Sequence, residues 1–320
     1  MAKGIPLGCI MKYSRLFVCL VAVPLLLIGC FSKQPDKKPA GDSTTSKSNE
    51  MNAFRLSQIT VPSNVAYSDI LEDFDRKDLQ NIDRALTIFS NNKADSLSRD
   101  SMLISFNEFM TSVMQEYYSD KLLGNRELME QFESKEDKTE AQKMGSLLAS
   151  HGIKIYYREG DFYLEPDMKF VLDHLNGVLT SSSKSYLQTK INLAKGFYTI
   201  NNQPVSPPDS LAFQVFAWED FMIKNPEYVA KDEILAQYID VLTSYLSGME
   251  QLPLFTPNTK MLEPVYQDSY LKYIENYPKR ESAKTIKKFY DLLASKGFKY
   301  DESFDSFLSE INFTQLQNPQ

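Results

Sequence analysis

Cysteine is almost absent from this 320-residue chain, and the three that occur, Cys9, Cys19 and Cys30, all fall within its first thirty residues. Beyond Cys30 the chain therefore has no disulfide, no thiolate nucleophile and no thiolate metal ligand. Histidine is scarce as well. His151 and His174 form no His-x-x-x-His pair and no ligand spacing with a neighbouring carboxylate. That pattern points away from a zinc-type centre and from histidine acid–base chemistry, so no metal is expected. Glycine-rich phosphate loops, a Gly-x-Ser-x-Gly elbow and a calcium loop of alternating carboxylates are missing, and no cofactor is expected either. Positive charge is in deficit. With 35 Lys and Arg against 42 Asp and Glu the formal net charge is −7. It falls to about −10 once Lys3, Lys12 and Arg15, which precede Cys30, are set aside. An acidic chain disfavours nucleic acid, which rewards clustered Lys and Arg, and gives no electrostatic hold on anionic lipid.

What is present begins at the N-terminal end. An apolar run from Leu16 to Ile28, interrupted only by Cys19 and Pro24, follows the three basic residues and closes on Leu27-Ile28-Gly29-Cys30. The run is shorter than the ~20 residues a membrane-spanning helix needs. A basic region, an apolar stretch and small residues at the cut make a secretory signal. Met11 to Cys30 is already a complete signal, which makes Met11 an alternative start. A cysteine directly after the small residue resembles the lipobox of bacterial lipoproteins. The resemblance implies cleavage before Cys30, diacylglycerol on its thiol and a palmitate-type acyl group on its new amine. Two or more chains hold a protein stably where one does so only marginally. The implied location is the cell envelope, with the membrane contacted through the N-terminal lipid. Phe31 rather than Asp after the cysteine fits the outer membrane of a diderm cell; otherwise the outer face of the cell membrane is implied.

The chain divides into residues 1–29 as signal, 30–62 as lipidated cysteine plus spacer, and 63–316 as a mostly helical body, with a sub-division near 151–166. Phe31 to about Glu50 is polar and rich in Lys, Ser, Thr, Pro and Gly, too poor in apolar surface to offset the entropy of ordering. After Ser68 the hydrophobic period is helical. Leu71, Phe74, Ile82, Leu86 and Phe89 share one face, and Leu103, Phe106, Met110, Val113, Met114 and Tyr117 form a second stripe. Shorter helices are predicted near 120–133 and 138–150, the latter stopped by Gly152. Ile153–Arg158 and Phe162–Glu165, rich in Ile, Tyr and Phe around Glu159-Gly160-Asp161, read as the one β-hairpin. Helix resumes from Pro166-Asp167 through Val178, again over roughly 184–200, and after the Pro204–Pro208 turn. Ile234 to Leu246, Leu262 to Tyr277 and Ile286 to Leu293 carry the clearest apolar faces, and Gly297 stops the last.

Two helices are predicted to end just before a proline, at Phe221…Asn225-Pro226 and at Tyr273…Tyr277-Pro278. This resembles the turn of tetratricopeptide-like helical hairpins. The prolines are spaced far from that family's ~34-residue repeat and its small-residue signature is missing, so the likeness supports stacked helical hairpins in general.

Candidate chemistry is thin. Ser181-Ser182-Ser183-Lys184 contains Ser-x-x-Lys, the nucleophile pattern of penicillin-binding proteins. Its Lys-Thr-Gly companion is absent, Lys284-Thr285 being followed by Ile286, and a serine-rich helix cap is the better reading. No catalytic residue is assigned. Tyr266, Tyr270, Tyr273 and Tyr277 fall on one helix face with Trp218, the only tryptophan, on a neighbouring helix. They form a speculative binding face, set against the plainer reading of inter-helix core. The sequence thus predicts a mainly α chain of stacked helical hairpins with one small β-hairpin. Its expected role is a non-catalytic binding or scaffolding module at the envelope, with an envelope protein as partner. The alternatives are an envelope hydrolase using paired carboxylates and a carrier of lipid or another small ligand.

Overall fold

The computed structural model describes residues 66–134, 138–158, 160–194, 198–200, 203–205 and 207–311. The expected signal segment, Cys30 and the expected spacer to residue 62 lie outside the described residues. The chain is mainly α, as its hydrophobic periods require, and the hairpin near 153–165 is present. Two compact units are distinguished, one holding residues 66–191 with 227–230, the other 192–226 with 231–311. The stretch 151–166 lies inside the first of these units.

The first unit opens with α1 (Tyr67–Glu72) and α2 (Gln80–Asn91). The apolar stripe from Leu71 to Phe89 is split between them, and the break has a local cause. Asp75 accepts a hydrogen bond from the Lys77 N–H and Asp78 from the Gln80 N–H, both at 3.0 Å. Such side-chain turns compete with helical backbone pairing. In α3 (Ser96–Tyr117), capped by Asp95 through the Ser98 N–H at 2.8 Å, the expected stripe is buried along its length. A single π-helical turn, Tyr118–Leu122, follows directly. Then come α4 (Arg126–Glu133), α5 (Thr139–Ser150), β1 (Ile153–Arg158), β2 (Asp161–Pro166), α6 (Met168–Leu175) and α7 (Ser181–Leu193). Gly152, at φ +74°, ends α5 and turns the chain into β1. A Cβ there would lie 2.4 Å from a ring carbon of Phe170, so both backbone and packing require glycine.

The second unit contains β3 (Tyr198–Ile200), β4 (Gln203–Val205), α8 (Pro208–Lys224), α9 (Lys231–Ser247), β5 (Gly248–Met249), β6 (Leu252–Pro253), α10 (Pro264–Asn276), α11 (Glu281–Ser295) and α12 (Ser303–Glu310). Two further antiparallel pairs, β3–β4 and β5–β6, thus join the expected hairpin. Residues 198–200, read in sequence as the end of a helix, are strand instead, because Tyr198–Ile200 pair with Gln203–Val205. Pro208 and Pro264 each occupy a helix's first position, where a missing N–H leaves nothing unpaired. The helix ends before Pro226 and Pro278 match as the sequence echo implies. The Asn225 N–H donates to the Phe221 carbonyl and the Tyr277 N–H to the Tyr273 carbonyl, both at 2.9 Å. At the end of α11, Gly297 donates to Ala294 O at 3.0 Å and Phe298 to Leu293 O at 2.8 Å, the paired bonds of a Schellman stop.

Candidate functional site

Tyr266, Tyr270, Tyr273 and Trp218 prove to be core, the plainer of the two readings, and not the speculative binding face. Tyr266 and Tyr270 are fully buried, as are Tyr273 and Trp218 to within 2 %. Each phenol tip is used internally. Tyr266 donates to the Leu252 carbonyl at 2.9 Å and Tyr270 to the Tyr245 carbonyl at 2.8 Å. Tyr245 O belongs to the last turn of α9, so Tyr270 satisfies a carbonyl that the helix end leaves unpaired. The Tyr273 hydroxyl lies 2.7 Å from Ser282 Oγ, which donates to Glu219 Oε2 at 2.5 Å. The other oxygen of the buried Glu219 accepts from the N–H groups of Glu281 and Ser282, at 2.9 and 3.3 Å. Glu219 of α8 therefore caps the N-terminus of α11, with charge of the sign a helix start favours. Burial pushes the Tyr270 and Tyr273 phenols far above the ordinary tyrosine range. Tyr277 alone of the four is only partly buried, and it stacks on Phe216 with centroids 4.3 Å apart. The Arg280 guanidinium lies over the Phe216 ring at 5.2 Å and pairs with Asp220 at 2.7 Å. Tyr270 and Tyr273 thus serve helix ends, and Tyr266 serves the β6 carbonyl of Leu252.

The serine run is likewise structural. Thr180, one residue ahead of it, accepts the Ser183 N–H at 3.0 Å and donates to Asp100. Ser183, fully buried, donates to the same Asp100 oxygen at 2.6 Å. His151 Nδ1 sits 2.8 Å from Asp83 Oδ2, tying the end of α5 to α2. His174 is exposed, donates from Nδ1 to the Phe170 carbonyl at 2.8 Å and lies against the Phe170 ring. Among the described residues no group of three or more His, Cys, Asp or Glu is placed to hold a metal ion.

The most unusual chemistry lies on the β1–β2 hairpin, which the sequence marked only as structure. Its register sets Ile153 opposite Pro166, Ile155 opposite Leu164 and Tyr157 opposite Phe162 on one face. Ile153 and Phe162 are buried there, and Phe132 of α4 completes an aromatic triangle with Tyr157 and Phe162. The other face carries Lys154 opposite Glu165, Tyr156 opposite Tyr163 and Arg158 opposite Asp161. Strand pleating alone puts these six together. Asp161 accepts a 2.7 Å hydrogen bond from Tyr118, presented by the π turn, and Lys154 pairs with Asp167 at 3.0 Å.

Arg158 and Glu165 are left incomplete. The Arg158 side chain folds back over the Tyr156 ring, its guanidinium carbon 4.9 Å from the centroid. Neither Nη1 nor Nη2 of Arg158 has a hydrogen-bond partner, and both are buried. Glu165 Oε1 is in the same condition. Burial raises Glu165 to about 7, against the opposing pull of Arg158 and Lys154 and of the nearby Tyr156 phenol. Burial and then the Glu165 charge lift Tyr156 to about 12, and burial lowers Arg158. Such an arrangement can exchange a proton near neutrality and holds two buried guanidinium nitrogens that make no hydrogen bond. Asp161 and Glu165 share the face but are four residues apart, about 13 Å along a strand. That exceeds the ~5–10 Å between the carboxylates of glycosidases.

No family model, no curated protein and no solved structure matches this chain.

Proposed function

We propose that this chain is an exported lipoprotein, anchored through Cys30 to a membrane of the cell envelope, whose helical units form a non-catalytic binding or scaffolding module. The observation that carries the reading is the lipobox Leu27-Ile28-Gly29-Cys30 at the end of a basic-then-apolar signal, followed by a polar spacer. Acyl chains on Cys30 would supply the membrane hold by themselves. Among the described residues no helix is long and apolar enough to cross a membrane. The charged hairpin face, which gathers Lys154, Tyr156, Arg158, Asp161, Tyr163 and Glu165 on one side, is the part of the body best suited to recognition. The deciding experiment is in-cell crosslinking, affinity purification and mass spectrometry on the wild-type chain and on Cys30→Ala, with fatty-acid labelling of both. Acyl label and one dominant envelope protein recovered with the wild type, and both lost from Cys30→Ala, is the expected result. An unlabelled wild type would refute the anchor. A labelled wild type that captures no protein would refute the scaffolding role and turn attention to small ligands.

A further inference from the structure

We propose that Arg158 and Glu165 form a proton-operated latch on the β1–β2 hairpin, in which the guanidinium leaves the Tyr156 ring for the Glu165 carboxylate when that group ionises. The inference goes beyond envelope anchoring and stands independently of it. Buried polar groups are almost always paired, so a guanidinium and a carboxyl on one face, both with unpaired buried atoms, call for a physical reason. Protonation supplies it. A neutral carboxyl tolerates burial without an ion partner, and Arg158 then rests on the Tyr156 ring, where cation–π attraction holds it. When the proton leaves, the carboxylate has the Tyr156 phenol beside it but keeps an Oε1 with no hydrogen bond, a costly state for a buried charge, and Nη1 and Nη2 of Arg158 are unused donors on the same face. The guanidinium already leans along β1 to Tyr156, one cross-strand pair short of the Lys154–Glu165 pair. Closing the remaining gap needs side-chain rotation, not a change of register.

The other charged groups around the hairpin already have partners or lie exposed, Lys154 opposite Glu165 included. Lys154 on β1 is engaged by Asp167. Asp161 on β2 is held by Tyr118 of the π turn, whose Asp120 and Lys121 pair with each other. On α3, Glu108 and Glu116 are exposed, Asp100 accepts from Thr180 and Ser183, and Arg99 donates to the Val178 carbonyl. From α4, Glu133 accepts from Tyr157 on the opposite face, and on α5 Glu140 pairs with Lys143. Tyr156 and Tyr163 complete the titratable groups of the charged face, and Tyr156 stays protonated to about 12. Glu165, raised to about 7, is therefore the group whose charge changes near neutrality.

The test is a carbon-detected NMR titration of the full chain, labelled at glutamate, arginine and tyrosine, from about pH 5 to about pH 9. Glu165→Gln identifies the Glu165 signal and, being isosteric, preserves the fold. In the wild type the Arg158 guanidinium and Tyr156 ring signals are expected to move with the same midpoint as the Glu165 carboxyl. In Glu165→Gln that movement should vanish, and in Arg158→Gln the Glu165 midpoint should rise by about one to three pH units. Arg158→Lys keeps the charge but loses the fork and serves if Arg158→Gln fails to fold; it should raise the midpoint by less. Arg158 and Tyr156 signals that stay still while Glu165 titrates would overturn the latch. So would a Glu165 midpoint indifferent to the Arg158 substitutions.

Discussion

Glu165 keeps its proton to about pH 7 in the folded chain, whereas an unhindered glutamate ionises near 4.5. The folded state thus binds this proton more tightly than the unfolded one. The stability it contributes is complete below about pH 4.5 and is lost as pH rises through about 7. A wild-type chain should therefore lose urea resistance between about pH 5 and about pH 8, and Glu165→Gln should flatten that slope. A slope unchanged by the substitution would place the titrating group elsewhere. Glu219 is the opposite kind of carboxylate, buried but fully used. Exchanging it for Gln replaces an acceptor facing Ser282 with a donor and weakens the charge at the start of α11. The expected cost is about 1–3 kcal/mol, read from the shift in denaturation midpoint at unchanged slope.

Elements here are joined at their ends as much as along their faces. Tyr270 reaches the last turn of α9, Glu219 the first turn of α11, and Thr180 the first turn of α7. Helix termini buried in a core must find such partners, because each leaves four backbone groups unpaired. Tyr270→Phe keeps the ring packing and deletes one buried bond, so it should cost about 1 kcal/mol, measured by denaturant unfolding. Gly152 is held by two independent constraints, a positive φ and the Phe170 ring. Gly152→Ala should be the harsher change, lowering the thermal midpoint by more than Tyr270→Phe does, because no rotamer of alanine relieves either constraint. Equal midpoints for the two variants would mean that Phe170 yields easily.

At the scale of the whole molecule, charge separates two ways of staying on a membrane. A chain with net charge near −10 beyond residue 30 has no net electrostatic attraction to anionic lipid, whereas the acyl chains of the proposed anchor would act through apolar burial. Membrane retention should then survive washing in about 1 M salt and be abolished by detergent or by Cys30→Ala, as membrane fractionation would read. Release by salt alone would mean that the hold is electrostatic after all.

The helical class, the 153–165 hairpin, the glycine stops at 152 and 297 and the proline-marked helix ends were legible because each rests on near-neighbour physics. Hydrophobic period, steric permission at positive φ and the geometry before proline all act within a few residues. The pair β3–β4 was not, since three-residue strands carry too little pattern to outweigh a helical prior. The tyrosine ladder showed its shared face in sequence, yet spacing is the same for a groove and for a core. Only the burial of Tyr266, Tyr270 and Tyr273 and their bonds to Leu252, Tyr245 and Ser282 distinguish the two. The cross-strand register, seen only in the structure, places Tyr156, Arg158 and Glu165 on one side of the hairpin. That Nη1 and Nη2 of Arg158 and Oε1 of Glu165 are buried there without hydrogen bonds depended on what covers that side, and burial is a property of distant chain brought close.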